Sequence, residues 1–126
     1  MCRCADNKND KIMQQENLIV NLTFKFALDI IVYCELLEAG RKYNMANQLF
    51  RSGTSIGANV KEAQGAESKA DFIHKMKIAY KESEEAKYWL ELCKSSANYP
   101  ALSQNLTADI NSIQRVIGKI ITTSKS

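Results

Sequence analysis

Phe72, Met76, Ala79, Ser83, Ala86, Leu90 and Cys93 follow one another at alternating steps of four and three. Such spacing puts all seven on one face of an α-helix and repeats every seven residues, the pattern of helices packed nearly parallel or antiparallel. Ala79, Ser83 and Ala86 keep the middle of this stripe narrow, so a neighbouring helix can come close there. One proline and five glycines among 126 residues leave long uninterrupted segments, which favours helices over a turn-rich β fold. A chain of this length suits one domain with one core.

Read in order, the sequence predicts four helices. The first runs from about Gln14 to Ala39 and is ended by Gly40. Leu22, Phe26, Ile30, Tyr33 and Leu37 give it one apolar stripe, and Val20, Phe24, Ala27, Ile31 and Cys34 give it a second. Two stripes exceed the apolar arc of an ordinary surface helix, so one face serves the core and the other needs a further partner. Self-association is the simplest explanation. The second helix starts after Asn44, a good N-cap, and runs to about Glu67. It contains Gly53 and Gly57, whose spacing of four allows close helix–helix approach. Ser68-Lys69-Ala70-Asp71 resembles a capping box and opens a third helix reaching about Ala97. Asn98-Tyr99-Pro100 makes the turn. The fourth helix covers about Leu102 to Thr122, with Leu106, Ile110, Ile113, Ile117 and Ile120 inward. The expected architecture is all-α, an antiparallel up-down four-helix bundle over residues 14–122, with residues 1–13 and 123–126 loose.

In the second helix, Ser52, Ser55, Asn59 and Glu62 form a polar line beside the apolar line Gly53, Ile56, Val60 and Ala63. A polar line there predicts a hydrogen-bonded seam against the third helix, because buried polar groups must be paired. In a hairpin turning near Glu67 and Ser68, facing residues have numbers summing to roughly 135. Arg51 then faces Glu85, with Glu82 one turn away, Ser55 lies near Tyr80 and Asn59 near Met76. The predicted structural seam is Arg51, Ser52, Ser55, Asn59, Glu62, Glu82 and Glu85, with Thr54 as a further hydrogen-bonding group and Trp89 covering one end.

Catalytic constellations find little support. Asp71-Phe72-Ile73-His74 supplies half of a di-iron carboxylate motif, but the chain has one histidine, so the second half is missing. A histidine-based triad would need the same His74. GTSIGAN is too poor in glycine for a phosphate loop and lies in a helix. Cys2 and Cys4 form a CxC without a second ligand pair, while Cys34 and Cys93 read as small core residues. We expect no catalytic residues, metal or cofactor. The Asn21-Leu22-Thr23 and Asn105-Leu106-Thr107 glycosylation patterns are coincidences of helical sequence. No apolar run is expected to span a membrane, and the first ten residues lack the apolar stretch of a secretory signal, so the expected location is cytoplasmic.

Net charge is +3, which permits an acidic partner without requiring one. Lysines of the third helix alternate with acids and read as a solvated face. The candidate nucleic-acid contacts are Arg41 and Lys42 at one end of the bundle and Arg115 and Lys119 on the fourth helix.

Arg51, Ser55-Ile56, Asn59, Glu62, Phe72, Ala79, Glu82 and Glu85 together resemble the central motif of a known family. These are the four-helix bundle proteins encoded in intervening sequences of bacterial 23S ribosomal RNA genes, also called S23 ribosomal proteins. The resemblance extends more loosely over residues 18–122. Where many relatives read Asn-Ile-Ala-Glu-Gly, this chain has Asn59-Val60-Lys61-Glu62-Ala63, and it lacks the tryptophan common in helix one of relatives. The resemblance implies an up-down bundle assembled as a homopentameric ring. Similar bundles are accessory proteins of diversity-generating retroelements, where they bind a reverse transcriptase and RNA. The expected function is therefore a non-enzymatic oligomer associated with RNA. The alternative is a protein–protein adaptor for a reverse transcriptase or other nucleic-acid enzyme.

Overall fold

The computed structural model describes residues 7–125, with side chains from residue 14 onward apart from residue 16. Cys2, Cys4 and the rest of the first six residues lie outside the described residues. Four helices, α1 Asn7–Ala39, α2 Tyr43–Ala63, α3 Lys69–Ser95 and α4 Gln104–Lys125, succeed one another with no strand among the described residues. α1 packs on α2 and α4, and α3 on the same two, which closes a square bundle. Arg51 pairs with Glu85 and Glu62 with Lys75, so α2 and α3 run antiparallel.

The core follows the stripes. Phe26, Ile30, Tyr33 and Leu37 of α1 are buried, as are Met76, Ala79, Ser83, Ala86, Leu90 and Cys93 of α3. All five predicted inward residues of α4 are buried, and α2 contributes Ile56, Val60 and Ala63. Among the described residues three buried polar ones interrupt this interior, and each hydroxyl donates within its own helix. Thr23 donates to the Ile19 carbonyl at 2.7 Å, Ser52 to Gln48 at 3.0 Å, and Ser83 to Tyr80. Bonding of this kind satisfies the hydroxyl without a partner across the interface.

Several helix ends differ from the expectation. α1 begins at Asn7, about two turns before Gln14. At its other end the left-handed residue is Arg41 (φ 62°), one position past the glycine. The Lys42 amide donates to Leu37 at 2.8 Å and that of Arg41 to Glu38 at 2.9 Å, the paired bonds of a Schellman turn. Left-handed backbone costs a residue with a Cβ about 1 kcal/mol. Asn44 is not the N-cap of α2. Lys42 holds that position without a side-chain cap bond, because the tight turn brings the chain back into helix at once.

α2 ends at Ala63 rather than Glu67. The amides of Gln64, Gly65 and Ala66 each reach back three residues, tightening the chain out of α-helix. Ser68 does cap α3, accepting from the Asp71 amide at 3.0 Å, while Asp71 accepts from Glu67, one residue before the position of a regular box. α3 stops at Ser95 and α4 starts at Gln104, so the turn around Pro100 is longer than expected.

One compositional expectation is corrected. Asn17–Ala39 of α1 is long and apolar enough to cross a membrane by those criteria alone. In this fold its inner face is bundle core, and Lys25 on its flank bridges to α4.

Candidate interaction surfaces

The seam between α2 and α3 is less cross-linked than its sequence suggests. Arg51 Nη2 donates to Glu85 Oε2 at 3.1 Å and to Gln48 Oε1 at 3.4 Å. Glu62 lies 3.7 Å from Lys75. Ser52, Thr54, Ser55 and Asn59 all turn back onto carbonyls of α2 itself, Asn59 Nδ2 donating to the Ser55 carbonyl at 2.8 Å. The expected hydrogen-bonded seam is corrected in this respect, because a helical Ser, Thr or Asn finds an acceptor one turn behind it.

On α3, Glu82 Oε2 and Trp89 Nε1 are buried with no hydrogen-bond partner among the described residues. With Arg51 fixed opposite Glu85, one turn along each antiparallel helix sets Glu82 opposite Ser55, whose proton is committed elsewhere.

Cross-helix polar contacts not anticipated from sequence lie around α4 and the turn before it. Gln114 Nε2 donates to the Ser83 hydroxyl at 3.3 Å. Lys25 bridges Asp109 at 2.9 Å and Asp29 at 3.2 Å, and these two carboxylates raise its pKa. The Tyr33 hydroxyl donates to the Pro100 carbonyl at 2.7 Å, tying the α3–α4 turn to α1. Asp29, one turn after Lys25, was legible; the partners on α4 and at Pro100 required the tertiary register.

A second surface is apolar. Outward from the core, α1 presents Phe24 (66% exposed), Leu28 (50%), Val32 (58%) and Leu36 (50%), with Ile31 beside them. This face is wider than the second stripe read from sequence, which held Phe24 and Ile31 but not the leucines. Beside Phe24 a groove of about 450 Å3 runs between α1 and α2, floored by Ala27, Gly57 and Ala58 with Lys61 at its edge. A Cβ at Gly57 would meet Thr23 in ordinary contact at 3.4 Å. A ridge and a groove thus lie side by side on one face.

Of the four candidate nucleic-acid contacts, Arg41, Arg115 and Lys119 are exposed and Lys42 is half-buried, and they fall into two separate pairs. Arg41 and Lys42 form the α1–α2 turn, and Lys42 Nζ sits 5.2 Å from the centre of the Tyr99 ring. Arg115 and Lys119 lie one turn apart, past the midpoint of α4, and Arg115 donates to Ser112 at 3.2 Å. A single protomer does not bring the two pairs together.

Cys34 and Cys93 are buried free thiols near Tyr33. Burial pushes Cys34 up to about 11 and raises Cys93 and Tyr33 in the same direction. Raised thiol pKa values mark inert packing groups rather than nucleophiles.

Residues 15–119 match the profile of the 23S rRNA-intervening sequence protein family. Among solved structures, the chain is similar to a protein of unknown function from the S23 ribosomal protein family of Bacteroides thetaiotaomicron VPI-5482. The two share 36% identity with a TM-score of 0.78, over 87% of this chain and 96% of the other. No curated protein matches the chain.

Proposed function

This chain belongs to the 23S rRNA-intervening sequence protein family, and from that premise we propose that it is a self-assembling, non-enzymatic cytoplasmic bundle that associates with RNA through a basic surface completed by assembly. The outer face of α1 is the observation that carries this reading. Four large apolar side chains in a row, each at least half exposed, are costly to leave in water and mark an interaction site.

Ridge and groove on the same face support a heterologous contact, in which Leu28, Val32 and Leu36 of one copy enter the groove beside Phe24 of the next. Heterologous contacts form a ring when their rotation closes and a filament when it does not, and the homopentamer implied by the family resemblance is the closed case. Around a ring, Arg41 with Lys42 and Arg115 with Lys119 recur in every copy, concentrating positive potential for phosphate that one protomer lacks.

Nucleic acid carried through purification tests the reading. The protein should elute at low salt with excess absorbance at 260 nm that high salt removes. Exchanging Arg41, Lys42, Arg115 and Lys119 for glutamine should remove that absorbance while leaving the particle intact. An assembled particle free of RNA at low salt would contradict RNA association and favour the adaptor, with a nucleic-acid enzyme as partner.

A further inference from the structure

A cleft of about 510 Å3 opens where α3 turns into α4. Pro100, Ala101, Leu102 and Ala108 give it apolar lining, and Ser96, Ser103, Gln104 and Thr107 add hydrogen-bonding groups. Among the described residues, Lys94 is its one charged lining residue and no carboxylate lines it. Tyr99 also lines the cleft, and the Lys42 ammonium over its ring brings a second cation to the rim. Arg41, the residue before Lys42, is held in left-handed backbone that glycine would adopt at less cost.

The cleft is held from behind. Tyr33, buried in the core, binds the Pro100 carbonyl, so the lining turn is fixed before any ligand arrives. It continues along α3 into a narrower groove of about 230 Å3 that shares Lys94, Leu102 and Thr107 and adds Lys87 and Glu91. Lys87 and Lys94, two turns apart, therefore stand about 10 Å apart along one wall.

We propose that this cleft binds one unpaired nucleotide of single-stranded RNA. The inference rests on the RNA association proposed above and gives it a site within a single protomer. A base has apolar faces for the Pro100–Leu102–Ala108 lining and polar edges for the hydroxyls and Gln104. Lys94 and Lys42 meet its phosphate, and Lys87 meets a phosphate further along the strand. A volume of this size admits a single nucleotide. Duplex RNA keeps its bases stacked inside the helix and presents nothing that enters.

Fluorescence anisotropy with a labelled ten-nucleotide uridine strand, and with a duplex of equal length, tests the proposal at fixed low salt. Wild-type protein should bind the single strand at least about tenfold more tightly. Ala108→Trp, which fills the cleft from an exposed position, should abolish that preference while duplex binding stays within about twofold. Ala101→Trp serves as a second filling variant, with circular dichroism confirming the fold of each. Lys94→Gln should weaken single-strand binding and lower its salt slope by roughly one.

If both tryptophan variants keep the wild-type preference while Arg115→Gln/Lys119→Gln weakens binding of both RNAs, the cleft assignment is overturned and RNA association stands. Failure of the wild type to bind either RNA overturns both. Tighter capture of a polyglutamate peptide than of the strand, lost in Ala108→Trp, would overturn the assignment in favour of an acidic peptide.

Discussion

Gly53 of α2 lies so close to Ile30 of α1 that a Cβ built on it would stand 2.9 Å from both Cγ1 and Cγ2 of Ile30. Those atoms sit on a stiff, fully buried β-branched side chain, so neither helix has a flexible end to move aside. Alanine at position 53 gains about 1 kcal/mol of helix propensity. It also brings an overpacking strain of about 1–3 kcal/mol. Gly53→Ala should be destabilised in urea unfolding, and the same change made in an Ile30→Ala background, where both Cγ atoms are gone, should no longer destabilise. A Gly53→Ala protein more stable than wild type would contradict the close α1–α2 contact.

Gly118 is the opposite case. It lies inside α4, and a Cβ there meets nothing within 4 Å. Gly118→Ala should therefore raise stability by about 0.5–1 kcal/mol, read as a higher urea midpoint at unchanged slope.

The Arg51–Glu85 pair joins side chains that are 60% and 37% exposed. Water screens such a pair, and Arg51→Ala should cost less than about 1 kcal/mol. A double-mutant cycle with Glu85→Ala checks this. A coupling of several kcal/mol would mean that the pair is buried in the working protein, as it would be beneath a neighbouring copy.

Cys34, Cys93 and Tyr33 predict alkaline weakening of the fold. Burial raises all three pKa values, Cys34 to about 11 from an ordinary 9.0. As pH rises past 9, the unfolded chain loses thiol protons that the folded chain keeps. The unfolded state then binds fewer protons, so stability falls with pH, and for Cys34 the fall ends near its folded value of about 11. Melting temperature should be flat from pH 7 to about 8.5 and decline above it. Cys34→Ala/Cys93→Ala should show a shallower alkaline decline than wild type, and an identical slope would dissociate the effect from these thiols.

What was legible in the sequence was what local periodicity determines. The four-and-three steps from Phe72 to Cys93 and the isoleucines of α4 named the core because side-chain direction in a helix follows from spacing alone. The helix ends were less legible. Left-handed backbone fell on Arg41 rather than Gly40, since the Schellman bonds are set by how the chain leaves the helix and not by which residue adopts that conformation at least cost. In the seam, Ser52, Ser55 and Asn59 each had two ways to be satisfied, across the interface or one turn back, and spacing does not choose between them. Tyr33 with Pro100 and Lys25 with Asp109 join residues 67 and 84 positions apart, which no local pattern reveals.

Light scattering coupled to size-exclusion chromatography tests most directly whether the outer face of α1 is an interface, with wild-type protein set beside Phe24→Glu/Leu28→Glu. Both residues point away from the core, so the variant should keep its helical spectrum. The account predicts a wild-type particle several times the mass of one chain and a folded, monomeric variant. A wild-type monomer at micromolar concentration, or a variant that assembles as the wild type does, would contradict it.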